Sequence, residues 1–235
     1  MGWPGWSAVL ATRGPGVLRI RPVQPGDYPV LADIAYATGF FGGSAEVYFP
    51  ARALFSELWV GPYLGPAGAC GLVAEAEGKV LGYILGSMDP WRYRLYYLQR
   101  LPRWLAWAAL GRYPGLGGSL RYLLRAVRYP SRAAPLNLYP AHLHLNLLPE
   151  ARGRGLGEQL LRAHLGCLRD RGVCGVQLST TEENTAALAL YRKLGFQEYA
   201  RWESPLWTPW LGRPVVHLTL VLLLNGKDLL KNSSA

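Results

Sequence analysis

Several protein classes need features that this 235-residue chain has little of. There are three cysteines, Cys70, Cys167 and Cys174, at no close spacing. That pattern gives neither a disulfide framework nor a zinc site, and the plain expectation is buried free thiols in a reducing compartment. Apolar runs are short. Near the end of the chain the longest, Val215 to Leu224, contains His217 and falls far below the ~20 residues of a spanning helix. The first residues, Met1-Gly2-Trp3-Pro4-Gly5-Trp6, lack the basic stretch of a signal peptide, and Trp6 stands where a myristoylation pattern needs Ser or Thr. These absences predict a soluble, cytoplasmic protein. Acids are scarce as well, 15 against 25 basic residues, for a net charge of +10 and a pI near 9.7. Such a balance favours anionic partners. Hydrophobic residues make up 50% of the chain, enough for a core and too many for general disorder.

The most informative six residues are Arg152-Gly153-Arg154-Gly155-Leu156-Gly157. A strand-like run, Leu143 to Leu148, leads in, and a helix-patterned run, Glu158 to Arg171, leads out. A glycine turn between strand and helix frees backbone N–H groups at the positive end of a helix dipole, which suits a phosphate. Two familiar phosphate loops fail on spacing. A Walker loop needs Gly-Lys-Ser/Thr where this chain has Gly157-Glu158-Gln159. The dinucleotide fingerprint needs glycines at its first, third and sixth positions, and here they fall at 153, 155 and 157.

Hydrophobic periodicity predicts seven strands: 17–23, 71–77, 79–88, 142–148, 173–179, 196–203 and 215–223. It also predicts helices from Pro25 to about Thr38, near 50–58, over 155–171, and over 184–194 with a glycine stop at Gly195. Residues 1–16 read as a loose arm, 17–224 as one domain, and 225–235 as a polar tail. Within the domain, residues 89–139 break the pattern. They hold nine arginines and one acid, Asp89, a net +8 with aromatics interleaved. Two helices, about 91–110 and 117–128, are expected there. A lid over a substrate site or a homodimer surface is the plain reading of this insertion, with nucleic acid or an anionic membrane as alternatives.

The pattern Arg-x-x-Gly-x-Gly, met by Arg152, Gly155 and Gly157, resembles the acyl-CoA signature of the GNAT (Gcn5-related) N-acetyltransferase family. About thirty residues on, Asn184 to Phe196 resembles that family's second block, Asn-x-x-Ala-x-x-x-Tyr-x-x-x-Gly-Phe. Tyr139-Pro140-Ala141-His142-Leu143-His144 is also similar to the bacterial subgroup related to the acetyltransferase-like domain of O-GlcNAcases. The resemblance implies an α/β (α+β) fold: a mixed, mostly antiparallel sheet of about seven strands, splayed between strands 4 and 5. Helices would cover both faces, with the helical insertion before strand 4.

The same resemblance implies acetyl-CoA as co-substrate, no metal, and an amine acceptor, either a small molecule or a protein. The amides of Gly153, Arg154, Gly155, Leu156, Gly157 and Glu158 would hold the pyrophosphate. Arg152 and Arg154 would add charge-assisted bonds, with Arg192 and Lys193 as further cations. Backbone groups of Leu147 and Leu148 would pair with the pantetheine arm like an added strand. Asn184 would cap its helix and touch CoA. Tyr191 would be the general acid returning a proton to the leaving thiolate.

The base is open between His144, His142 and a water chain, with Glu203 a more remote option. The position that often carries a polar group in this family is Leu143; His142, His144 and Asn146 share the opposite strand face, and a bulge near Leu147 could re-aim them. The same leucine leaves two readings of the whole: an N-acetyltransferase acting by direct attack in a ternary complex, or a non-catalytic acyl-CoA-binding module.

Overall fold

The computed structural model describes residues 18–224; the expected arm (1–16) and tail (225–235) lie outside them. A seven-stranded sheet runs through the molecule. Its strands in chain order are β1 (Leu18–Pro22), β2 (Leu72–Ala76), β3 (Lys79–Ser87), β4 (Ala141–Leu147), β5 (Gly175–Thr181), β6 (Gln197–Ser204) and β7 (Val215–Leu223). Their spatial order is β1-β2-β3-β4-β5-β7-β6. Every neighbouring pair is antiparallel except β4 and β5, which are parallel.

Local chemistry sets these elements. β2 and β3 join through Glu77-Gly78, both at positive φ, the two-residue turn whose twist matches a hairpin. Every residue of β3 after Lys79 is buried, because helices cover both faces of this central strand. α5 (Leu156–Asp170) turns Leu160, Leu161, Leu165 and Leu168 onto one sheet face, joined there by Leu188 and Tyr191 of α6 (Thr185–Lys193). α6 ends at Gly195, φ +88°, where the N–H groups of Gly195 and Phe196 bond back to the carbonyls of Arg192 and Tyr191. The other face packs on α1 (Tyr28–Thr38) and α2 (Arg52–Trp59).

The parallel junction is short. β4 and β5 pair only at Ala141↔Val176 and His142↔Gln177, and the strands diverge towards Leu147. The splay inferred from the family blocks is therefore present. Gln177 helps hold its closed end: its amide donates to the carbonyls of Ala134 and Tyr139 (3.2 and 2.7 Å) and accepts from Ala134 N–H (2.8 Å).

The insertion forms α3 (Pro90–Ala109) and α4 (Leu116–Arg128). Asp89 caps α3 by accepting from the N–H groups of Trp91 and Arg92. Both helices pack over α2. Glu57 at its end accepts from Trp104 Nε1 of α3 (2.6 Å) and pairs with Arg103, while Ser119 of α4 accepts from Ala51 N–H at its start (3.0 Å).

Two expectations need correction. Cys70 and Cys167 are not free thiols: they form a disulfide, with Cα atoms 5.8 Å apart across 97 residues of sequence, and only Cys174 is free among the described residues. The two meet because Cys70 precedes β2 and Cys167 lies on the α5 face covering it. β4 also carries no bulge. Its register against β3 is unbroken from Gly82↔Leu147 to Ser87↔His142. A Cβ at Gly82 would lie 2.3 Å from Leu147, so the strands approach closely at this point.

Candidate active site

The turn after β4 places Gly153 and Gly155 at φ +73° and +75°, left-handed backbone that favours glycine. Gly155 stands at the N-cap of α5, and its carbonyl accepts from Gln159 N–H. The amides of Gly153 to Glu158 donate to no acceptor among the described residues. Six free N–H groups at the positive end of a 15-residue helix make an anion site. They head a groove of about 510 Å³ lined by Leu145, Leu147, Arg152, Gly153, Gly155, Gly157, Glu158, Asn184, Ala187 and Tyr191 among others.

The groove follows the splay. Leu148 N–H is bonded to the Leu81 carbonyl on β3 (2.9 Å), so ladder alternation turns the backbone of Leu145 and Leu147 towards the gap beside β5. The N–H expected to be free at Leu148 is thus paired within the sheet. That N–H serves β3, and the Leu148 carbonyl accepts from Ala151 N–H. Leu147 keeps an outward carbonyl, which accepts from Arg152 Nε (3.2 Å). Arg152 also donates to the Gly42 carbonyl (2.8 Å), tying the turn to the loop after α1. Leu156 contributes only its amide, since its side chain is buried with Leu81 and Ala151. The side chains of Arg154 and Arg192 are exposed and do not line the groove. Glu158 lines it with its charge balanced by Arg162 and Lys193, which hold its carboxyl below the usual range. Asn184 occupies the N-cap of α6 without making a side-chain cap bond, so its amide remains available where it lines the groove.

Tyr191 stands where the groove meets a second cavity of about 340 Å³. This inner chamber is walled by aromatics from distant segments: Tyr48, Phe55, Trp59, Tyr83, Tyr122 and Trp207. Asn146 on its floor donates to Thr38 Oγ1 (2.7 Å). No carboxylate lines it. Burial pushes the Tyr191 phenol up to about 12. His144 lines the chamber against the Tyr63 ring (5.3 Å), and burial pushes its imidazole down to about 4. His142 lines neither cavity. It is held between Tyr93 and Tyr63, with its pKa lowered to about 3 by burial and by His144. His217 on β7 reaches the chamber with an unpartnered Nε2, and burial lowers its pKa. The only sequence trace of that role is a polar residue inside an apolar strand. The aromatic wall left no comparable trace, since it comes from five separate elements and loops.

Residues 124–198 match the family model of the acetyltransferase (GNAT) domain. The matched span holds the amide-rich turn and both sides of the splay, β4 and β5. Among named relatives, mycothiol acetyltransferase of Salinispora arenicola is 51% identical over 61 residues, which is 26% of this chain and 19% of that protein. Mycothiol acetyltransferase of Nocardia farcinica is 56% identical over 48 residues, 20% of this chain and 16% of that protein. The chain thus matches under a fifth of the length of these relatives. The crystal structure of SsHAT is similar over 88% of this chain and 98% of its own, at 28% identity and a TM-score of 0.61. An acetyltransferase from Salmonella typhimurium, solved with its cofactor acetyl-CoA, shares the fold at 16% identity over 90% of this chain and 96% of its own, with a TM-score of 0.52. Among the described residues there is no cluster of metal-ligating side chains and no helix long and apolar enough to cross a membrane.

Proposed function

We propose that the chain is an acyl-CoA-dependent N-acyltransferase that transfers acetyl from acetyl-CoA to a primary amine by direct attack in a ternary complex. One observation carries this reading: six unbonded amides at the head of α5 open into a groove that runs along the splayed edge of β4 to Tyr191, where a separate chamber joins it. The pyrophosphate of CoA suits the amides, with Arg152 beside them and Asn184 and Tyr191 further along. Pantetheine suits the free edge at Leu147, as an added strand would. The thioester then lies at the mouth of the chamber. A cytoplasmic address follows from the donor, which that compartment supplies.

An alkyl amine with pKa near ~10 is almost wholly protonated at neutral pH, and freeing it costs about 4 kcal/mol. Burial leaves His144 and His142 neutral but weakly basic. That argues for a chain of water, held by the polar groups of the chamber, that carries the proton out to solvent. Tyr191 stays protonated and can donate to the developing thiolate.

The absence of a carboxylate from the chamber favours a second reading, a non-catalytic acyl-CoA-binding module. Incubation with acetyl-CoA and a panel of primary amines, read as release of CoA thiol, separates the two. Turnover above the amine-free background supports the transferase. CoA binding by calorimetry without turnover on any amine supports the module.

A further inference from the structure

Of the fourteen large hydrophobic side chains exposed among the described residues, eleven lie between Trp91 and Leu138. They are not scattered. On α3 the inner face carries Tyr93, Tyr96, Tyr97, Trp104 and Trp107, which pack on the core around α2. The outer face carries Trp91, Leu95, Leu98, Leu101 and Leu105, spaced three or four residues apart, and Trp91, Leu98 and Leu105 are 71%, 65% and 62% exposed. α4 repeats the arrangement. Tyr122 and Leu123 face inward, while Leu120, Leu124 and Val127 form an outward stripe, the last two 71% and 83% exposed. A surface helix ordinarily reverses this pattern and gives polar residues to water. Beside these stripes stand exposed arginines, Arg92 and Arg94 on α3 and Arg121 and Arg128 on α4.

We propose that the outer faces of α3 and α4 dock this protein on an anionic lipid surface. The charge pattern selects that occupant. A second copy placed face to face would set arginines against arginines, and Asp89, already bonded to Arg92, is the one acid between 89 and 139. A nucleic acid would satisfy the arginines and leave the leucines in water. A lipid headgroup layer takes both: phosphates meet the guanidinium groups, and the apolar stripes enter the acyl boundary. Trp91 suits the interface, where an aromatic ring has one side apolar and one wet. Both helices hold a fixed place over α2 through Glu57 and Ser119, so the surface is preformed.

The test uses the full chain and flotation with phosphatidylcholine vesicles, with and without phosphatidylglycerol. Binding is expected to the mixed vesicles, and little to phosphatidylcholine alone. Arg94→Gln, Arg121→Gln and Arg128→Gln should each weaken it about fivefold, the effect of one basic side chain near a charged surface. Leu98→Ser with Val127→Ser should remove the binding that survives high salt. All five changes lie on exposed positions and should leave the thermal melt and CoA binding unchanged. Three results would overturn the proposal: no flotation with anionic vesicles; a dimer in sedimentation that Leu98→Ser dissociates; or vesicle binding outcompeted by single-stranded RNA and untouched by the serine substitutions.

Discussion

Replacing Tyr191 with Phe tests the chemistry most directly, and the structure sets the size of the effect. The ring packs on Phe196 (centroids 5.5 Å apart) in the core beneath α6. The hydroxyl lies at the meeting of groove and chamber, with no hydrogen-bond partner among the described residues. Removing it therefore keeps the packing and breaks no internal bond, and the fold should keep its stability. With its pKa pushed up to about 12, the phenol is a weaker acid than a thiol of pKa ~8.5, so complete transfer of its proton to the thiolate is uphill by about 5 kcal/mol. Its useful contribution is then a hydrogen bond to sulfur as negative charge develops. A bond to a charged group is worth about 1.5–3 kcal/mol, which corresponds to a loss of about 10- to 160-fold in kcat. The assay is thiol release under saturating acetyl-CoA, alongside CoA affinity by calorimetry. A loss below threefold with CoA still bound would refute the role of Tyr191. A loss of CoA affinity as large as the loss of kcat would move that role from the transition state to donor binding.

Other substitutions probe the turn, the core link and the buried imidazoles. Gly155→Ala meets only Gln159 Nε2, at an ordinary contact distance of 4.0 Å, but forces φ +75° on an L-residue, so it should cost about 1–2 kcal/mol and lower Tm by about 2–8 °C in a thermal melt. The 97-residue separation of Cys70 and Cys167 implies that Cys70→Ser, or added dithiothreitol, should lower stability in urea titration by about 2–5 kcal/mol; an unmoved midpoint would deny the link a stabilising role. Burial lowers the pKa of His144 from 6.5 to about 4, so the unfolded chain binds the proton more readily in that window. Stability should be complete above pH 6.5 and fall as the pH drops towards 4, a slope that His144→Asn should reduce in a pH series of thermal melts.

Local features were the legible ones. The turn at Arg152–Gly157 and the block from Asn184 to Phe196 are written in adjacent residues, and the glycines that set their backbone can be read from spacing alone. The seven strands follow from short apolar or alternating runs between turn residues. Contacts made across the fold left no such record. Cys70 and Cys167 meet only because α5 lies on the strand that follows Cys70, which their spacing does not encode. Leu148 looked as available as Leu147, and only the pairing of β4 with β3 shows which one is committed. The chamber needed the loop after α1, the inner face of α4 and Trp207 to converge. Asn184 has the residue type of a helix cap, yet its side chain is left for another use.

The two-residue contact between β4 and β5 makes the sheet mechanically two plates, β1 to β4 on one side and β5, β7 and β6 on the other. A ligand laid along the free edge of β4 would act as a missing structural member between them, so occupancy and rigidity become one quantity. At a hundred times its dissociation constant, such a ligand adds about 2.7 kcal/mol of stability. Without it, the seam is where the molecule should breathe first, and the hydrogen bonds of Gln177 at its closed end would act as the hinge pin.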